Sequence, residues 1–158
     1  MGNFLYDGGF SVTDGSACRL KECVMTLQAK AFGFGMPWES FYGYSQAMRV
    51  GDTVYVSGQL SHDRDGNFVG AGDFELQVRT TLENLDLVLK QFGAERSQVV
   101  ETTVLVRNLR ENFDTTARLH AEYFGEHRPA STVMGISDLA LPDQLVEIGA
   151  LVRLDVKP

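Results

Sequence analysis

The chain has 158 residues, 44% of them hydrophobic, and a formal net charge of −7. That length builds one domain with a core of its own and is short for two. The negative charge opposes broad attraction to phosphate backbones or anionic membranes, which weighs against nucleic-acid binding without excluding a local basic patch.

The N-terminal MGNFLYDGGF lacks the basic-then-apolar pattern of a secretion signal, and no apolar run reaches membrane-spanning length, which makes cytoplasmic the expected location. Residues 1–40 read as an extension, with residues 41–158 as the domain. A short helix is predicted from Ser16, where Leu20, Cys23, Val24 and Leu27 recur at helical spacing before Gly33, Gly35 and Pro37 end it. Cys18 and Cys23 form no CxxC pair, and His62, His120 and His127 share no ligand spacing, so the expectation is reduced thiols, no metal and no cofactor. Trp38, Phe41 and Tyr42 form an aromatic cluster that either packs internally or covers a sheet edge or a neighbouring subunit.

The stretch YSQAMRVGDTVYVSGQL, Tyr44 to Leu60, places two apolar-rich runs around Gly51-Asp52, the signal of a type II′ hairpin. With Val50 opposite Thr53, Met48 meets Tyr55, Gln46 meets Ser57 and Tyr44 meets Gln59. One face then collects Tyr44, Gln46, Ser57 and Gln59, a candidate site. The other collects Ala47, Val54, Val56, Gly58 and Leu60, a candidate core. Asp65-Gly66 marks a further turn.

From Asp73 a helix is predicted, its apolar stripe running through Phe74, Val78, Leu82, Leu85, Leu89 and Phe92 and stopping at Gly93. VVETTVLV, Val99 to Val106, reads as a strand with little exposure on either face. A second helix from Glu111 to Phe124 is expected to turn Phe113, Ala117, Ala121 and Phe124 inward. Strands follow at Ser131 to Ile136 and Leu145 to Leu154. In the last, alternation sends Val146, Ile148, Ala150 and Val152 to the core and Glu147, Gly149, Leu151 and Arg153 to the opposite side. The fold class is therefore α+β: a mixed β-sheet with two helices on one face, and an uncovered face carrying Tyr55, Leu145 and Leu151 that calls for oligomerisation.

Several of these motifs, in this order, resemble the Rid family of reactive-intermediate deaminases. Its members are also called YjgF-like, parts of the family carry an endoribonuclease L-PSP label, and the fold is similar to that of small trimeric chorismate mutase. The resemblance rests on YSQAMRVGDTVYVSGQL, TLENLDLVLKQFGA with VVETTVLV, EYFGEHRPAS and LVEIGAL, between about Tyr44 and Val152. It implies a homotrimer with ligand clefts between subunits, where active members hydrolyse enamines and imines such as 2-aminoacrylate to keto acids and ammonia. Position by position, the cleft tyrosine matches Tyr44, the serine-glycine pair Ser57-Gly58, and the last-strand glutamate Glu147. Glu147 and Ser57 are the implied catalytic residues, and Tyr44, Gly58, Ser131 and Thr132 the implied substrate-binding ones.

Three positions depart. The arginine that grips the substrate carboxylate after Pro-Ala is Ser131 here, the family's helix asparagine is Ala117, and Gly149 stands where many members carry a second acid. Two readings follow besides the deaminase one: a non-catalytic metabolite-binding or regulatory trimer, and an endoribonuclease, which the acidic charge opposes. Residue by residue, Glu147 is either the proton carrier or half of an ion pair across an interface. Tyr44 either stacks on a ligand or packs, and Ser57-Gly58 either binds or allows close strand approach.

Overall fold

A computed structural model describes residues 28–157. Six strands form one sheet in the order β1-β2-β3-β6-β4-β5. They are β1 (Ala29–Phe32), β2 (Ala47–Val50), β3 (Thr53–Gln59), β4 (Val99–Arg107), β5 (Ala130–Ile136) and β6 (Val146–Arg153), with helices α1 (Pro37–Tyr42), α2 (Phe74–Gln91) and α3 (Leu109–Phe124). Only β4 and β5 run parallel, joined through α3; every other pair is antiparallel. No helix among the described residues is long and apolar enough to cross a membrane.

Local chemistry explains most of these elements. The β2–β3 hairpin has the expected register, Val50 with Thr53 and Met48 with Tyr55. Gly51 sits at φ 59° while Asp52 keeps a negative φ, the dihedral signature of the predicted turn. Asp73 caps α2 by accepting a hydrogen bond from Leu76 N at 3.0 Å, and Gly93 follows its end at φ 64°. The predicted stripe is the buried one: Val78, Leu82, Leu85 and Leu89 are sealed against Val54, Val56, Val104, Ile148 and Val152 of the sheet. Both long helices cover this one face, α2 over β3 and β6 and α3 over β4 and β5.

Four expectations are corrected. The predicted helix from Ser16 falls mostly on residues outside the described range, and its final residues, Ala29–Phe32, are a strand paired with β2. The sheet thus includes residues assigned to the extension, and residue 40 lies inside α1.

On α3 the inward residues are Thr116, Leu119 and Phe124, while Phe113, Ala117 and Ala121 are exposed. Thr116 can face the core because its hydroxyl donates back to Asn112 O at 2.8 Å. On β4 only one face is sealed, with Thr102, Val104 and Val106 buried; Glu101 is exposed on the other.

The fourth correction shapes the site. The β3–β6 ladder slips between Val56 and Gln59, a bulge that inserts one residue into β3. Gln59 thereby comes opposite Ile148 and is buried, while Gly58 falls on the Glu147 side. Strict alternation had assigned them the other way round.

Candidate functional site

The helix-free side of the sheet holds a hollow of about 340 Å³. Gly58 of β3, Glu101, Thr103 and Leu105 of β4, and Glu147 and Gly149 of β6 line it. They converge because Thr103 pairs with Gly149 and Leu105 with Glu147 across the β4–β6 ladder, and cross-strand partners share a face. Glu101 and Thr103 escape sequence reasoning because the β-branched VVETTVLV reads as covered on both sides, whereas the alternation of β6 already puts Gly149 on the Glu147 side. The ETT interruption of its β-branched run was the available signal.

Glu147 sits where the alternation of β6 predicts, away from the helices. Its carboxylate lies so close to Gly58 that a Cβ there would overlap Oε1 outright and stand 2.5 Å from Cδ. Glycine is therefore required by space, not by dihedral angle. Burial raises the Glu147 pKa above the ordinary glutamate range, partly offset by the hydrogen bond from Gln144 Nε2 to Oε2 at 3.1 Å. Gln144 is itself fully buried and is anchored by Leu141 N, which donates to its Oε1.

Behind it, Gln77 of α2 donates to Gly70 O and Asp143 O and accepts from Leu145 N. That three-way tie locks the loop leading into β6. A half-desolvated acid on a rigid strand, beside a residue without a side chain, can carry a proton to and from a small molecule.

Ser57 donates its hydroxyl proton to Ser45 O at 2.7 Å, tying the bulge to the entry of β2. Tyr44 is partly buried, and its Oη accepts from Gln46 Nε2 at 3.2 Å. Burial raises its pKa, hydrogen bonds from Trp38 and Gln46 oppose the rise, and the charges of Glu39 and Glu147 add to it.

Ser131 is elsewhere. It pairs with the buried Thr102, and Thr102 Oγ1 donates to Ser131 Oγ at 2.9 Å while meeting His120 Nε2 at 3.1 Å. These groups belong to the helix-covered face. Within one chain Ser131 does not join Glu147, whereas Thr132, opposite Thr103, is on the Glu147 face. Among the described residues no three His, Cys, Asp or Glu side chains gather as a metal site.

The Endoribonuclease L-PSP family model matches residues 37–154. The chain belongs to the Rid family. It is 34% identical over 108 residues to a RutC family protein of Pyrococcus abyssi, covering 68% of this chain and 84% of the relative. It is also 34% identical over 109 residues to the 2-iminobutanoate/2-iminopropanoate deaminase of Rattus norvegicus, covering 68% and 77%. Among solved structures, a member of the YjgF/YER057c/UK114 family from Mycobacterium tuberculosis superposes with a TM-score of 0.71 at 29% identity, covering 80% of this chain and 99% of that one. RidA from Psychrobacter superposes with a TM-score of 0.65 at 28% identity, covering 70% and 87%. This Rid protein thus shares the mixed sheet of its relatives, and the hollow lies on the side of that sheet that α2 and α3 leave open.

Proposed function

We propose that this Rid protein is a cytoplasmic homotrimer that takes a small imine, enamine or carbonyl compound into clefts between subunits, with hydrolytic deamination as its chemistry. The observation that carries the reading is Glu147: a partly dry carboxylate with a raised pKa, pressed against Gly58 on the uncovered face. In the hydrolysis, Glu147 takes a proton from the water that adds to the imine carbon. It returns that proton to the nitrogen, giving a carbinolamine; the carbinolamine hydroxyl proton then passes through Glu147 to the nitrogen as the C–N bond breaks, so the carbonyl product and ammonia leave and the carboxylate is restored. Ser57, its proton engaged by Ser45, keeps lone pairs that accept from that water. Trimerisation is supported by the apolar groups on the open face, with Tyr55 53% and Met134 42% exposed.

The experiment couples 2-aminoacrylate, or a branched imino acid, to keto-acid formation. Loss of about a hundredfold or more in Glu147→Gln is expected from removal of a general acid–base group. Absence of turnover in the wild type, or turnover unchanged by Glu147→Gln, defeats the proposal.

A second reading, a non-catalytic metabolite-binding or regulatory trimer, is favoured by one observation. Among the described residues no lysine or arginine lines the hollow, and Ser131 stands where an arginine would grip a carboxylate. Each charge-assisted bond of that fork is worth roughly 1.5–3 kcal/mol, so its loss weakens carboxylate anchoring by about a hundredfold or more. On this reading small carbonyl compounds bind but no imine is turned over. The endoribonuclease reading stays last, because the charge of −7 disfavours an RNA backbone.

A further inference from the structure

The proposed chemistry uses one end of the hollow only. Glu147 and Glu101 both line it, but they stand at opposite ends. The β4–β6 ladder fixes this arrangement: Leu105 pairs with Glu147, Thr103 with Gly149 and Glu101 with Leu151. From the Glu147 row to the Glu101 row is four steps along β4, about 13 Å at roughly 3.3 Å per residue. Both side chains rise from the helix-free face, because positions two apart along a strand share a side. The floor between them is made by Thr103, Leu105, Leu151 and Gly149, and Gly149, having no side chain, leaves the middle open.

The charges of this face are unevenly engaged. Arg153, two residues beyond Leu151 on β6, gives Nε and Nη2 to the two oxygens of Asp155 at 2.9 and 2.7 Å. Arg107, two residues beyond Leu105 on β4, donates to Pro142 O at 2.6 Å and stands 3.9 Å from Asp138. Neither guanidinium lines the hollow. Glu101 is exposed and, among the described residues, enters no ion pair.

The hollow thus holds two carboxyl groups and, among the described residues, no cation. A concave site lined by one sign of charge concentrates ligands of the opposite sign. A ligand with its reacting carbon at Glu147 and a chain long enough to reach Glu101 meets a second carboxylate there. That carboxylate attracts a positive end group and repels a negative one.

We propose that Glu101 is a specificity-determining residue, and that the hollow selects imines and carbonyl compounds carrying an alkylammonium group at the end of a chain that runs from Glu147 along β4. This rests on the reading of Glu147 as the site of chemistry, and it adds the class of compound that fills the rest of the hollow. A short imino acid such as 2-aminoacrylate does not reach Glu101 and is served by the Glu147 end alone.

The test uses three ketones with the same chain and different ends: 7-(trimethylammonio)heptan-2-one, octan-2-one and 7-oxooctanoate. Binding to the full-length protein is followed by NMR titration of the Gly58 and Gly149 amides, which mark the hollow. In Glu101→Gln the ammonium ketone is expected to lose about two- to fivefold in affinity, the worth of an exposed ion pair, while 7-oxooctanoate gains by a similar factor and octan-2-one stays as in the wild type. Glu101→Lys enlarges both changes. Molar salt removes them, since the screening length falls to about 3 Å at 1 M. A purely structural role for Glu101 would move all three ketones together and would not respond to salt in this way.

The side chain is exposed, so both variants are expected to keep the fold, which circular dichroism checks. Equal affinity for the ammonium ketone in the wild type and both variants overturns the proposal. So does a wild type that binds 7-oxooctanoate more tightly than the ammonium ketone. Ketones that leave the Gly58 and Gly149 amides unmoved overturn it together with the placement of the site. The titration involves no turnover, so the two readings fail separately: charge selection by Glu101 without any imine hydrolysis rejects the enzyme reading alone, and imine hydrolysis with affinities indifferent to Glu101 rejects this proposal alone.

Discussion

Replacing Gly58 by alanine tests the most specific geometry in the site. The added Cβ would stand 2.5 Å from Glu147 Cδ and 2.6 Å from Cγ, whereas carbon atoms rest about 3.5–4.0 Å apart. An overlap of at least about 1 Å on two carbons cannot be relieved by the backbone, because Gly58 is held in the bulge between Val56 and Gln59. Glu147 must swing away and give up its bond from Gln144. Losing a hydrogen bond to a charged group costs about 1.5–3 kcal/mol and overpacking about 1–3 kcal/mol, overlapping contributions that together suggest roughly 2–4 kcal/mol.

The assay is a double-mutant cycle by urea unfolding, with Gly58→Ala measured in the wild type and in Glu147→Ala, which lacks the three atoms that clash. A coupling energy of about 1.5 kcal/mol or more is expected, and alanine in the Glu147→Ala background should be nearly neutral. Equal costs in the two backgrounds would refute the placement of Glu147 against Gly58 and the site built on it.

Three further outcomes follow from the same structure. Glu147→Gln should be more stable than the wild type above the ordinary glutamate range. The raised pKa means that the fold prefers the protonated acid, so wild-type stability falls as pH rises from the unfolded to the folded value; below the unfolded value the two urea midpoints should coincide. Thr102→Val strips the link between His120 and Ser131 and leaves a half-buried imidazole nitrogen unpaired, which should cost about 1–2 kcal/mol in chemical denaturation and leave the Glu147 face unaltered. Tyr55→Glu sets a charge on the open face opposite Met48. Sedimentation should show a smaller assembly than the wild type, and a species unchanged in mass would remove that face from the assembly contact.

Part of this molecule could be read from residue order because the decisive interactions were local. Gly51-Asp52 sets its own turn and so the hairpin register, Asp73 caps its own helix, and the alternation of β6 puts Glu147 opposite Ile148 on the two sides of one strand. Other features were decided between distant segments. The bulge at Ser57-Gly58 exists in the ladder between β3 and β6, and it reverses the sides that alternation assigns to Gly58 and Gln59.

α3 carries apolar residues on adjoining stripes, and the sheet beneath it selects the one with Thr116 and Leu119. Ser131 meets Thr102 and His120 only because β5 lies parallel beside β4. Periods of 2 and 3.6 residues specify which side chains share a face. Which face is covered, and where a ladder slips, depends on partners far along the chain, and only the assembled sheet supplies them.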